Sequence, residues 1–230
     1  MKAGNWRVTG EAIKFAADGH LLDGQNRLTA VVESGVAVVS LVVRGLDTTA
    51  QVSMDSGVAR TAADALTMHG TQNAVVAAAI ARLALSWRAG IIRTTTASNM
   101  LTVTTSESLD FVSSDPYIER AAHIAKTCKE IAAPPSAVGF AAWLLLQVDH
   151  LAAEIFFADL AQLRTSGKGD PRYTLLSRLQ SIKNSNERPE TVTYAFYIIR
   201  TWNACRTGKT LGNLKTGNAH GPFTFPDPAQ

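Results

Sequence analysis

The stretch His20-Leu21-Leu22-Asp23-Gly24-Gln25-Asn26-Arg27-Leu28-Thr29-Ala30 decides how the N-terminal part of the chain folds. Its apolar start predicts the end of a strand, Gly24 a sharp turn, and Gln25 onward the first turn of a helix. Such a turn directs backbone N–H groups and the guanidinium of Arg27 toward one place, which suits a phosphate. Asp23 is interpreted either as the helix cap or as the holder of a cation or a ribose hydroxyl.

The residues on either side of this stretch complete a small α/β unit. Asp18-Gly19 predicts a hairpin turn between a strand at Ala12–Ala16 and the return strand at His20. Helical spacing of apolar residues continues from Gln25 to Glu33, and Gly35 is a natural helix C-cap. The β-branched run from Val36 to Val43 predicts a strand that is buried on both faces.

From Thr61 onward the apolar spacing is helical. Asp115-Pro116, Pro134-Pro135 and Asp170-Pro171 are start signals for three of the predicted helices. The fold class is therefore α+β, with a small N-terminal α/β domain followed by a mostly α-helical domain. The predicted boundaries are 1–65 for the first domain, 66–208 for the helical domain and 209–230 for an irregular tail rich in glycine and proline.

Composition narrows the class of protein. The chain has 230 residues, of which 46% are hydrophobic, and this is ample for a packed core. No apolar run reaches the roughly 18–20 residues that span a bilayer, so no membrane partner is expected. Two distant cysteines, Cys128 and Cys205, indicate reduced thiols in an intracellular protein. The scattered histidines have no metal-ligand spacing, so no metal site is predicted.

Basic residues are concentrated near the C-terminal end. Residues 164–215 carry ten basic and three acidic side chains, although the net charge of the whole chain is only +3. Such a local excess is a footprint that a polyanion such as DNA could use, and the alternative is a solvated helical surface. The candidate nucleic-acid contacts are Arg164, Lys168, Arg172, Arg178, Arg200, Arg206 and Lys209.

A second polar loop follows the α/β unit. In Met54-Asp55-Ser56-Gly57, an acid, a hydroxyl and a glycine precede Arg60. These residues could close over a phosphate or hold Mg²⁺ through Asp55. The plainer interpretation is that Asp55 or Ser56 caps the next helix.

The N-terminal part of the chain resembles the ParB/sulfiredoxin-like superfamily, in particular a phage and bacterial branch whose turn reads Asp-Gly-Gln-His-Arg-Leu. The matching pieces are Trp6, Thr9–Ile13, Gly19–Leu28, Ala30, Val39–Val43, Met54–Gly57 and Arg60. A later stretch, with Gly169-Asp170-Pro171, Ala195, Trp202-Asn203-Ala204 and Arg206, is similar to the helical region that follows this domain in such phage proteins.

In that superfamily the equivalent turn binds nucleotide phosphates, and some members act on DNA. The resemblance therefore implies ligand binding at Gly24, Gln25, Asn26 and Arg27, with Ser56 and Arg60 as further candidates. Asn26 stands where the branch has histidine, and an amide can hydrogen-bond but cannot act as acid or base. The turn holds no cysteine, which excludes sulfiredoxin chemistry.

Three hypotheses follow. The first is a phage-type, DNA-associated protein in a bacterial host cell, which binds a nucleotide or DNA phosphate at the turn and DNA through its basic C-terminal helices. The second is a phosphotransferase, nucleotide hydrolase or nuclease, in which Asp23 or Asp55 holds Mg²⁺ and an arginine stabilises phosphoryl charge. A nucleoside triphosphate with Mg²⁺ would then be the cofactor. The third is a phage protein that binds a host protein.

Overall fold

The structure is a computed structural model that describes residues 6–8, 10–52, 61–95, 100–218 and 221–229. It has the predicted α+β class, with a small sheet followed by helices. The chain divides into two compact units, Met1–Arg60 and Thr61–Gln230. The division therefore falls after residue 60, whereas the sequence placed it after residue 65.

The first unit is built on a hairpin and one helix. Strand β1 (Ile13–Ala16) pairs antiparallel with β2 (Leu21–Asp23), and Gly19 at the turn between them has a φ of 90°. Helix α1 (Gln25–Ser34) follows at once and ends at Gly35, which has a φ of 64°. The chain then returns as β3 (Val42–Leu46), parallel to β1, and the strand order is β2-β1-β3. The hairpin, the helix and its C-cap are confirmed.

The prediction for the third strand is wrong in position and in burial. The strand was expected at Val36–Val43 and buried on both faces, but β3 begins at Val42 and lies at an edge of the sheet. Val39 is 76% exposed and Val42 is 45% exposed. The β-branched run correctly indicates β propensity. It carries no information about how many layers cover the sheet, and burial depends on that.

The second unit is a helical assembly around one apolar helix. Its helices are α2 (Ala62–Met68), α3 (Ala74–Arg88), α4 (Thr105–Ser114), α5 (Ile118–Thr127), α6 (Pro135–Val148), α7 (His150–Ala161), α8 (Pro171–Lys183) and α9 (Thr191–Arg206). Helix α6 is buried without a break from Ala137 to Leu146 and packs against α3, α5, α7 and α9. Among the described residues, no helix combines the length and hydropathy needed to cross a membrane.

The predicted helix starts hold at α6 and α8, where Pro135 and Pro171 open the helices. The prediction fails at Asp115-Pro116, because α5 begins only at Ile118. One Asp115 oxygen accepts the Tyr117 N–H at 3.0 Å. The other oxygen is occupied by Arg88 at 3.0 Å and by the Trp143 indole at 3.1 Å. Tertiary partners therefore hold this carboxylate, and it does not cap a helix.

The segment after Gly208, predicted to be irregular, forms two short strands, β4 (Gly217–Asn218) and β5 (Gly221–Pro222). It also packs onto the helices of its own unit. Leu214 and Phe225 are buried, and the Phe225 N–H donates to the Arg93 carbonyl at 2.8 Å. The Trp202 indole donates to the Ala229 carbonyl at 2.8 Å.

Candidate functional site

The predicted phosphate turn begins α1 with glycine as its N-cap. Gly24 has a φ of 99°, in the left-handed region, and among the described residues no side chain caps the first turn of α1. The N–H groups of Gln25, Asn26 and Arg27 lie in the first helical turn and have no intrahelical acceptor. The side chains of Gln25 and Asn26 are exposed. The helix start therefore presents free donors, and Asp23 is not its cap.

Gly24 is required for a second reason. A Cβ atom on this residue would lie 3.1 Å from the Cα and the Cγ1 of Ile13. Strand β1 therefore passes directly against the turn. Only glycine satisfies both the backbone conformation and this close approach.

Arg27 is anchored beside the turn. One terminal nitrogen donates to the backbone carbonyl of Glu11 at 2.5 Å, and the other lies 3.8 Å from the Glu11 carboxylate. The Arg27 side chain keeps 25% of its surface exposed. A guanidinium has five N–H donors, so donors remain for a ligand after the bond to Glu11.

Asp23, the candidate metal or catalytic carboxylate, is engaged on both oxygens. Oδ1 accepts the Gly24 N–H at 2.7 Å, and Oδ2 lies 3.3 Å from the Lys14 ammonium. These contacts connect the hairpin to the start of α1. A Mg²⁺ ion at Asp23 would have to replace the Lys14 ammonium. Across the described ranges, no group of three or more histidine, cysteine or acidic side chains could hold a metal ion.

The remaining candidates near the turn are placed differently. His20 is largely exposed on the hairpin and pairs with Asp18 at 3.0 Å. Hydrogen bonds from the backbone and the imidazole of His20 lower the pKa of Asp18. Asp55, Ser56 and Arg60 lie outside the described residues.

Four of the seven candidate nucleic-acid contacts are held in ion pairs. Arg172 lies between Asp159 and Asp170, and its hydrogen bonds to Asp170 raise the pKa of Arg172. Burial alone would raise the pKa of Asp170, yet hydrogen bonds from Arg172 and from backbone N–H groups lower it overall. The other pairs are Arg164 with Asp159, Arg178 with Glu187 and Arg206 with Asp149.

The other three candidates have no carboxylate partner within the described ranges. The Arg200 guanidinium stacks over the rings of Phe196 and Phe223, 5.8 and 5.5 Å from their centroids. Lys168 lies in the loop before α8, and Lys209 follows α9; both are exposed. The uncompensated positive charge is therefore smaller than the sequence suggested.

Four of the seven residues meet at one cleft, with a volume of about 640 Å³, in the second unit. Lys168, Arg172, Arg206 and Lys209 line it. It also has an apolar lining that the sequence did not identify, made by Ala152, Ile155, Phe156, Trp202 and Ala204. The only sequence signal was the apolar spacing along α7. Arg178 lines a different depression, together with Lys215.

Cys205 also lines this cleft. Burial raises the pKa of its thiol to about 11. The thiol is therefore protonated at neutral pH, and it is neither a nucleophile nor a metal-binding thiolate there. It contributes an uncharged wall to the cleft.

Comparison of the chain with known protein families, with curated proteins and with solved structures gives no match.

Proposed function

We propose that this chain is a phage-type, ParB-like, DNA-associated protein that binds a phosphate of a nucleotide or of DNA at the Gly24–Arg27 turn. The observation that carries the proposal is the start of α1, which has a glycine N-cap and no side-chain cap among the described residues, next to an anchored arginine. The sequence resemblance points to the same turn.

The physical argument rests on charge and on preorganisation. A helix start carries a partial positive charge and unpaired N–H donors, which together favour an anion. Because Glu11 already positions the Arg27 guanidinium, little side-chain entropy remains to be lost when a phosphate binds. The Glu11 carboxylate lies 3.8 Å from the other terminal nitrogen, too far for a hydrogen bond, so N–H donors of Arg27 remain for phosphate oxygens.

DNA contact is proposed to extend to the second unit through the three candidate cations that have no carboxylate partner among the described residues, Lys168, Lys209 and Arg200. Contacts of this kind neutralise phosphates and position the duplex without reading bases. The four paired arginines contribute less, because a phosphate has to compete with a carboxylate that is already in place.

Calorimetry tests the turn. The protein is titrated with ATP, CTP, GTP, UTP and a short DNA duplex, with and without Mg²⁺. Arg27→Ala is compared with Arg7→Ala, a matched control that removes an exposed cation from the same unit. We expect Arg27→Ala to weaken binding by about tenfold or more and Arg7→Ala to leave it unchanged. Absence of binding to every nucleotide and to DNA would reject the proposal and favour a protein partner.

Salt dependence tests the contribution of the second unit. The logarithm of the DNA binding constant falls with the logarithm of salt concentration by about 0.9 per neutralised phosphate. Contacts by Arg27, Lys168, Lys209 and Arg200 give a slope of about −4 or shallower, whereas free participation of all seven candidates and Arg27 gives about −7. A slope near the steeper value would show that DNA displaces the carboxylates from the paired arginines.

A further inference from the structure

We propose that the cleft between α7, the loop 162–170 and the end of α9 binds a small organic anion with a flat apolar body. The cleft has a volume of about 640 Å³. This lies within the roughly 300–1,000 Å³ of pockets that take small ligands. The inference does not depend on phosphate binding at the Gly24–Arg27 turn, because the cleft lies wholly within the second unit; it shares Lys168 and Lys209 with the proposed DNA contacts.

The apolar wall of the cleft calls for an apolar ligand body. Phe156 and Trp202 meet edge to face, with ring centroids 5.5 Å apart and an angle of 86°, and both rings are buried. Beside them, Ile155 is 55% exposed, next to the buried Phe156 on α7. A flat apolar group placed on Ile155 would remove this surface from water.

The charges around this wall select an anion. Within the lining, Asp159 and Asp170 carry two negative charges, which Arg172 between them and Arg164 beside Asp159 together balance. Lys168 and Lys209 have no carboxylate partner among the described residues, so they leave an excess of positive charge at the rim. The two lysines would repel a cation, and a neutral ligand would gain no electrostatic attraction from them.

Arg206 adds a directional contact for the anionic group. Its guanidinium pairs with Asp149 at 2.9 Å and lies 5.4 Å from the centroid of the Trp202 ring. The stacked geometry leaves it beside the apolar wall, with further N–H donors than the one given to Asp149. A carboxylate or a phosphate attached to a flat body would face these donors and the two lysines, which line the same cleft.

Binding is tested on the full chain with 2-naphthoate and 2-naphthyl phosphate, and 2-naphthamide serves as the uncharged analogue. Ligand-observed NMR titrations give the dissociation constants. We expect at least one anion to bind saturably, with a dissociation constant about fivefold or more below that of the amide. The two anions distinguish a carboxylate site from a phosphate site. Absence of saturable binding, or equal binding of the amide, would overturn the proposal.

Matched variants locate the site. Lys168→Ala with Lys209→Ala should weaken anion binding about fivefold, whereas Lys126→Ala with Lys129→Ala removes two exposed lysines elsewhere and should change nothing. Ile155→Ser should weaken binding similarly, whereas Leu151→Ser alters a more exposed apolar residue of α7 that does not line the cleft and should change nothing. Equal losses in test and control variants would overturn the assignment, and circular dichroism verifies that each variant is folded.

Discussion

Replacing Gly24 by alanine tests the geometry on which the phosphate turn depends. Gly24→Ala places a side chain at a φ of 99° and a Cβ atom 3.1 Å from the Cα of Ile13. Gly19→Ala is the matched control, because Gly19 has a φ of 90° in the same hairpin but has nothing within 4 Å of the new Cβ. The difference between the two variants isolates the close approach of β1 to the turn.

The expected loss of stability has two parts, the cost of the left-handed backbone conformation and the cost of the contact with Ile13. A left-handed conformation costs an L-residue about 1–2 kcal/mol, and this applies to both variants. In Gly24→Ala the neighbouring atom is backbone, so it cannot rotate away, and overpacking of this kind costs about 1–3 kcal/mol more. We therefore expect the first unit to be destabilised by about 1–3 kcal/mol more in Gly24→Ala than in Gly19→Ala.

Hydrogen exchange reads this difference locally, without interference from the larger helical unit. The Ile13 N–H donates to the Leu41 carbonyl and the Ala16 N–H to the His20 carbonyl, each at 2.8 Å, so both amides report opening of the sheet. Their exchange should be about 5- to 150-fold faster in Gly24→Ala than in Gly19→Ala. Equal exchange in the two variants would refute the close approach to β1.

Three further predictions concern the second unit. Hydrogen bonds from Arg120 hold the pKa of Glu154 below its ordinary value. The ion pair therefore stabilises the fold at any pH above that ordinary value, and its contribution is lost as the pH falls. In urea titrations, the wild type should thus lose more stability than Glu154→Gln between about pH 6 and pH 3; parallel losses would contradict this. The Cys205 thiol, with a pKa of about 11, should react with a disulfide reagent at neutral pH about 100-fold more slowly than free cysteine, and a rate near that of free cysteine would refute the raised pKa. Gly139→Ala would place a Cβ 2.4 Å from Cδ1 of Ile80, so thermal unfolding should show a loss of about 1–3 kcal/mol. Ile80→Val removes that atom and should recover part of the loss in the double variant; additive losses would refute the contact.

Local signals explain which parts of the fold could be predicted from the sequence. Gly19 and Gly35 have positive φ where the turn and the helix end were expected, and residues close in sequence determine such conformations. The start of β3 depends instead on pairing with β1, about thirty residues away. Likewise, Asp115 has a cap-like sequence, but tertiary contacts with Arg88 and Trp143 use its carboxylate.

In the candidate site of the first unit, too, local features could be predicted from the sequence and contacts between distant residues could not. The sequence located the turn because Asp23, Gly24 and Arg27 are neighbours along the chain. It could not show that Lys14 neutralises Asp23, because that contact depends on the register of the hairpin. The cleft of the second unit was not predicted at all, since α7, the loop 162–170 and α9 form it only when the helices pack.

The basic C-terminal segment shows how pairing changes the meaning of a charge count. Its ten basic and three acidic residues suggest a strong positive field. Two of the carboxylates that neutralise its arginines, Asp149 and Asp159, precede the segment and become partners only through the fold. The positive charge that remains includes Lys168 and Lys209 at the rim of an apolar cleft.

The same two lysines therefore serve both proposals, and their neutralisation alone cannot separate DNA binding from small-anion binding. Ile155 can. A DNA phosphate is recognised by charge and gains little from an apolar side chain that lines the cleft, whereas a flat organic anion loses part of its contact when Ile155 becomes serine. If Ile155→Ser weakens naphthoate binding and leaves DNA binding intact, the cleft is a ligand site in its own right. Equal losses of both would mean that DNA occupies the cleft.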